Sequence, residues 1–286
     1  MGPARVILNA DDLGMSPETN RGIAECAGAG AVTSLSLMAN LPGFEDACGR
    51  LREGLPGSLG VHLNFTLGEP LLKGGEARAL TGPDGRFLPL GRAALRLAVA
   101  GRSLAQGLER EARAQIERVL GAGAGRVWHL DTHHHLHGFP VLLEVLLRLA
   151  GEYGILAVRN PREDFPRAPG EGRPTWQALA LRFLAREAPQ RIAASGLRRP
   201  DAFYATALTR SRDFGRTLRA VLERAGPGVT EVALHPGYAV GALDSYQAQR
   251  EEEMRVLLGE EMRAALRSPR LRFITFQELA EGGGGA

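Results

Sequence analysis

A deformed (β/α) barrel, one domain of about seven parallel strands with helices outside, is the fold class the sequence predicts. Three observations predict it. Short, β-branched-rich apolar runs alternate with helix-like stretches along the chain, the pattern of a parallel sheet covered by helices. The length of 286 residues suits a single barrel, which commonly takes roughly 250. Polar and imidazole side chains collect directly after the strands, where parallel α/β folds carry their chemistry. An open doubly wound sheet meets the first and third observations too, but seven strands favour the barrel.

The elements follow in order. Arg5 to Ala10 reads as a buried strand and Asp11-Asp12-Leu13-Gly14 as a turn. Ser16 and Pro17 are the N-cap and first residue of a helix running to about Gly30. Val32 to Met38 and Leu59 to Phe65 are strands flanking a helix from Gly43 to Glu53. Residues 66–103, punctuated by Gly68, Pro70, Gly82-Pro83-Asp84-Gly85 and Pro89, form an irregular insertion. A helix from Leu104 to Leu120, the connector Gly121 to Gly125 and a strand from Arg126 to Thr132 come next. In the apolar helix Val141 to Ala150, Glu144 and Arg148 are spaced for an i,i+4 pair. Ile155 to Arg159 is a strand, 160–174 a second insertion, and helices cover 175–188 and 211–225. Val229 to Leu234 is a strand, Tyr246 to Arg267 a helix, and Leu271 to Phe276 the last strand. The expectation is one domain over 1–286.

With 44% hydrophobic and 23% charged residues, the composition is that of an ordinary globular protein. The net charge of +3 is small, and Lys73 is the only lysine. The arginines are interleaved with glutamates and apolar residues along helical stretches, which marks solvated faces rather than a nucleic-acid footprint. Cys26 and Cys48 lie in helix-like stretches without a CxxC pair, so they read as small buried hydrophobes. No apolar run approaches the roughly 20 residues of a membrane helix, and no basic stretch leads into one near Met1. A cytoplasmic protein without a membrane span is expected, with a homo-oligomer left open.

Five strand ends carry charged or imidazole groups: Asp11 with Asp12, His62 with Asn64, Asp131 to His135, Arg159, and His235. Buried polar groups cost free energy unless paired, so this collection points to a site. Asp11 and Asp12 are not needed as helix caps, because Ser16 fills that role. A lone His62 would be a satisfied core histidine; only its companions give it a function. Five of the seven histidines fall between His129 and His137. Continued strand alternation puts Asp131, His133 and His135 on one face, a carboxylate and two imidazoles suited to a divalent metal. Alternation leaves His133 and His135 as equal candidates. His235-Pro236-Gly237-Tyr238 reads as a tight turn that holds an imidazole at the sheet edge.

Four segments together resemble the signatures of a known family. They are Asn9-Ala10-Asp11-Asp12-Leu13-Gly14-Met15-Ser16, Gly60-Val61-His62-Leu63-Asn64-Phe65-Thr66, Asp131-Thr132-His133-His134-His135-Leu136-His137 and His235-Pro236-Gly237-Tyr238. In this order they are similar to the motifs of the YdjC-like carbohydrate deacetylases, of which the chito-oligosaccharide deacetylases are the best known. The resemblance runs through nearly the whole chain. It implies a TIM-barrel-like fold and hydrolysis of a linear amide C–N bond, the N-acetyl group of a small-molecule acetylated sugar. It also implies Asp12, His62 and His133 as metal ligands, Asp11 as general base and His235 as general acid, and so tips the choice away from His135. Asp131, His135, His137, Asn64, Arg159 and Tyr238 are then expected to support the ligands or touch substrate. A divalent ion, Zn, Mg, Mn, Co or Ni, would polarise the amide carbonyl and lower the pKa of water towards about 7. Two competing functions are a metal-dependent phosphoester hydrolase, which often holds two ions, and a non-catalytic sugar-binding barrel, which has no need of an acid at Asp11.

Overall fold

The computed structural model describes residues 2–73, 77–164, 176–209, 211–239 and 247–282. Its strands are β1 (Ala4–Leu13), β2 (Ser34–Leu37), β3 (Ser58–Leu63), β4 (Val127–Thr132), β5 (Ala157–Val158), β6 (Ala202–Tyr204), β7 (Val229–Leu234) and β8 (Leu271–Phe273). All pair in parallel, in the order β5-β4-β3-β2-β1-β7-β6. One edge of β1 takes β7 along Arg5–Ala10; the other takes β8 at Ala4–Val6 and β2 from Asn9 onward. The sheet curls until its end strands approach. Ala157 and Arg198 form a parallel bridge there, and the Asp164 N–H donates to the Phe203 carbonyl at 2.7 Å. This is the expected deformed barrel of seven parallel strands, with a short eighth at the start of β1.

Period-two alternation separates an apolar outside from a polar inside. Val6, Leu8, Ala10, Leu35, Leu37, Val61, Leu130 and Leu234 face outward and join the main core. The helices covering them include α1 (Pro17–Gly28), α2 (Phe44–Arg52), α3 (Leu90–Gly121) and α4 (Pro140–Glu152). After these come α5 (Trp176–Leu184), α6 (Ala188–Ala194), α7 (Thr206–Thr209), α8 (Phe214–Arg224), α9 (Gln247–Leu257), α10 (Glu260–Leu266) and α11 (Phe276–Ala280). Inside, Ile7, Ala157, Val229 and Phe276 form a small apolar floor. His129 stacks on Phe276 with centroids 3.8 Å apart. A Cβ at Gly60 would lie 2.2 Å from the His129 ring, so only glycine lets β3 pass it. Above this level the inward side chains are almost all polar, and they build the site.

The structure departs from the sequence expectations at identifiable points. β1 does not end at Ala10 but runs through Asp11 and Asp12 to Leu13, with Asp12 at φ 65 where the register with β2 shifts. The first insertion ends at Pro89, because α3 begins at Leu90 rather than Leu104. Its alanines, leucines and arginines outweigh Gly91 and Gly101 as helix formers, and the only break is a kink at Ala100. Glu144 and Arg148 do not pair with each other: Glu144 meets Arg191 at 2.7 Å and Arg148 meets Glu109. β6 is a three-residue strand that the sequence did not signal. The 246–267 helix is broken between α9 and α10 at Leu258 and Gly259. The last strand stops at Phe273, because Thr275 with Glu278 forms a capping box that starts α11. Ser16 caps α1 as expected, accepting from the Thr19 N–H, and Cys26 and Cys48 are buried free thiols. Tyr246 and residues 165–174 of the second insertion lie outside the described residues.

Candidate metal centre

The strand ends converge. Asp12 Oδ1 lies 3.5 Å from His62 Nε2 and 3.1 Å from His133 Nδ1. One ligand atom from each of Asp12, His62 and His133 falls within 4.8 Å of the others, and all three residues are buried. Asp12 Oδ1 and His62 Nε2 have no hydrogen-bond partner. A buried polar atom left unpaired costs about 1–3 kcal/mol, so a carboxylate oxygen and an imidazole nitrogen turned to one point fit a cation between them. One carboxylate and two imidazoles suit Zn, Mn, Co or Ni, and Mg less well.

Each group is held from behind. His62 Nδ1 is 2.7 Å from Asp131 Oδ1, so the proton on Nδ1 goes to Asp131 and Nε2 is left as the metal-facing nitrogen. The second Asp131 oxygen accepts from Ser36 and Arg159, both at 2.8 Å. Ser36 in turn receives Asn9 Nδ2 at 2.8 Å and meets His129 Nε2 at 3.0 Å. Arg250 Nη2 donates to Asp12 Oδ2 at 2.6 Å and leaves Oδ1 to the site. Burial opposes the Asp12 charge, but Arg250 and His133 outweigh it and hold the carboxyl well below its ordinary range. Burial also opposes a charged His62, yet Asp131 and Asp11 raise it to about 10, so protons compete with a cation there.

Beside this centre, Arg159 is the hub of a buried charge cluster. Its guanidinium donates to both Asp11 oxygens at 2.6 and 2.8 Å and to Glu231 Oε1 at 2.7 Å. Three carboxylates share one arginine, and burial pushes Glu231 up to about 8 with Asp11 and Asp131 adding to the shift and Arg159 opposing it. Glu231 is paired with Arg159 through Oε1, and its second oxygen has no hydrogen-bond partner. His235 Nε2 stands 4.0 Å from Asp11 Oδ2. Asp11, Asp12, His62, Asp131, Arg159 and His235 thus meet at one end of the barrel.

Strand alternation fails for the histidine run. β4 ends at Thr132, and His133–Gly138 is a short 3-10 turn in which His134 and His135 take positive φ of 57° and 55°. His133 therefore turns toward Asp12, while the His135 ring meets Phe203 edge-on at 5.0 Å. His137 is buried against Thr132 Oγ1 and the Arg159 carbonyl, at 2.7 and 3.2 Å. The Asn64 side chain accepts from the Thr66 N–H and donates to the Leu67 carbonyl, while the Asn64 N–H donates to Gln115 Oε1 on α3. Tyr238 is not at the centre: its hydroxyl donates to Glu25 on α1 and Arg21 lies over its ring at 4.0 Å. Glu231, Arg250, Glu253 and Ser36 were missed. A glutamate inside the apolar strand Val229–Leu234 was the one legible signal among them.

The YdjC-like protein family model matches residues 5–268. The chain belongs to that family. This YdjC-like protein is similar to a carbohydrate deacetylase of Brevibacillus brevis, 34% identical over 96% of this chain and 99% of that protein. It also resembles a carbohydrate deacetylase of Geobacillus stearothermophilus, 31% identical over 97% of this chain and 98% of that protein. Among solved structures, a protein of Enterococcus faecalis V583, whose name refers to cellobiose-phosphate cleavage, superposes with a TM-score of 0.77 at 24% identity. It covers 98% of this chain and 100% of its own, a likeness of fold. Among the described residues no helix is long and apolar enough to cross a membrane.

Proposed function

We propose that this YdjC-like protein is a metal-dependent carbohydrate deacetylase. It removes the N-acetyl group of an N-acetylglucosamine-containing oligosaccharide or glycolipid, with Asp12, His62 and His133 holding one divalent ion. The observation that carries this reading is the convergence of two unpartnered buried atoms, Asp12 Oδ1 and His62 Nε2, with His133 Nδ1 beside the same oxygen. The names of the two deacetylase relatives support the sugar substrate.

Asp12, His62 and His133 would hold the ion, which when bound would polarise the amide carbonyl and acidify a water. Asp11 takes a proton from the attacking water as the water oxygen bonds to the carbonyl carbon, its carboxylate aimed by the two bonds from Arg159. His235, as imidazolium, gives a proton to the amide nitrogen while the C–N bond breaks, and acetate and a free amine leave. Asp131 engages Nδ1 of His62, so that Nε2 is the nitrogen turned to the ion. A two-ion phosphoesterase is disfavoured by one feature. The second ligand-like group, Asp11, His62 and Asp131, already encloses the Arg159 guanidinium.

Acetate release from N-acetylglucosamine oligomers, run beside phosphate release from a phosphoester with and without chelator, tests the reading. Acetate alone is expected, lost on chelation and restored by Zn or Co. Asp12→Ala and His62→Ala should each lose stoichiometric metal and at least about a hundredfold in turnover. Full metal content with full turnover in either variant would reject the assignment.

A further inference from the structure

We propose that Glu253 and Arg250, one turn apart on α9, are positioning residues that fix His235 against the metal centre through its own peptide groups. The inference rests on the reading of His235 as general acid. The His235 N–H donates to Glu253 Oε2 at 2.6 Å, and the His235 carbonyl accepts from Arg250 Nη1 at 3.3 Å. One helix therefore holds both polar groups of this peptide. The other end of the same guanidinium, Nη2, holds Asp12 Oδ2 at 2.6 Å. A planar, rigid guanidinium thus spans from the metal-facing carboxylate to the backbone of the acid and sets the distance between them.

The ring itself stands between two carboxylates. Its Nδ1 is 4.0 Å from Glu253 Oε1 on α9, and its Nε2 is 4.0 Å from Asp11 Oδ2 on β1. Imidazoles of His134 and His135, which burial keeps neutral, are also near. Burial raises the Glu253 carboxyl, and His235 and Arg250 oppose that shift; Glu253 stands on the Nδ1 side of the ring and Nε2 is turned toward Asp11 at the centre. Arg250 is 0% and Glu253 1% exposed. Burying two charges is expensive for a helix whose Met254 and Leu257 already reach the core. Gluing α9 to the barrel would need neither, whereas orienting His235 uses both.

The test uses the metal-loaded full chain with Glu253→Gln, which keeps an acceptor for the His235 N–H but drops the charge. Glu253→Asp and Arg250→Lys serve as charge-conserving partners. For Glu253→Gln, metal content and melting temperature should stay near wild type and KM within about twofold. The alkaline limb of the kcat/KM profile should move about one pH unit lower, with kcat at alkaline pH down about tenfold. Glu253→Asp should bring the limb back. Arg250→Lys should lower kcat about tenfold with metal still bound. A Glu253→Gln profile superimposable on wild type would overturn the proposal, as would activity lost only in step with metal or fold. Should wild type release no acetate from any N-acetylated sugar, the deacetylase reading fails separately. The positioning role then stands or falls on nitrogen NMR of the histidine rings. Glu253→Gln should move the His235 ring resonances at fixed pH while those of the other histidines stay in place; unmoved His235 resonances overturn it.

Discussion

Asp131 is the residue on which most of the centre turns, because it settles which His62 nitrogen is free. Its Oδ1 accepts the hydrogen bond from His62 Nδ1, and Ser36 and Arg159 hold its other oxygen. Asparagine at 131 could present its NH2 to His62 and invert that tautomer. Asp131→Asn should therefore weaken metal binding about 10- to 100-fold, read by titrating Zn or Co into chelated protein. An unchanged dissociation constant would show that the Asp131 bond is incidental. Much of this was legible residue by residue: Asp12, His62, Asp131 and His235 each close a strand, where parallel folds put chemistry. Choosing His133 over His135 was not legible from alternation, because periodicity presumes that the strand continues. Here the backbone turns into the left-handed region at His134 and His135, which nothing local in a run of histidines announces. Arg250 and Glu253 stayed hidden for another reason. In Gln247–Leu257 five of eleven residues are charged, and a solvated face and a buried pair look alike there.

Among the elements, β3 and β4 show what the polar interior demands of its neighbours. β3 can pass the His129 ring only at Gly60, where a Cβ would come within 2.2 Å of it. Gly60→Ala should destabilise the fold by about 1–3 kcal/mol or more through overpacking, measured by urea unfolding. Coupling it to His129→Ala, which vacates that space, should recover at least about 1 kcal/mol relative to the sum of the single changes. Strict additivity in this cycle would mean that the close approach is not the cause. Helix α3 makes the complementary point. Glu111 accepts the Leu71 and Leu72 N–H groups at 3.0 Å, and Gln115 holds both Asn64 backbone groups. The start of the first insertion is thereby tied to a helix whose first turns the glycines had concealed. Elements with strong periodicity, such as α1 and β7, were legible to within a residue or two. β6 and β8, three residues each, owe their existence to pairing with β7 and β1.

For the molecule as a whole, a barrel filled with neutral imidazoles should be acid-labile in a defined way. Burial pushes His129 and His137 down to about 3. The unfolded chain binds protons on these rings near 6.5, whereas the folded protein does not. Each ring therefore subtracts about 1.4 kcal/mol per pH unit from stability as pH falls from 6.5 towards 3. Glu231 works the other way between 8 and 4.5, because its raised carboxyl favours the protonated folded state on the way down. A metal-free His62 adds a contribution that is complete below 6.5 and declines only as pH rises towards 10. His134 and His135 are lowered by burial too, so four rings lose stability against the gains of the raised Glu231 and Glu253 carboxyls between 6.5 and 4.5, and losses alone remain below. Asp131 and Asp12 join them there, since their lowered carboxyls contribute stability that disappears as pH falls through the acid range. Unfolding free energy from urea titrations should thus decline from pH 6.5 and more steeply beneath about 4.5. His129→Gln keeps a donor for Ser36 without a titrating ring, and should flatten the upper part of that slope by about 1.4 kcal/mol per unit. A slope that His129→Gln leaves untouched would mean that the interior rings are not neutral, and the polar core would then have to be held by charge rather than by hydrogen bonds.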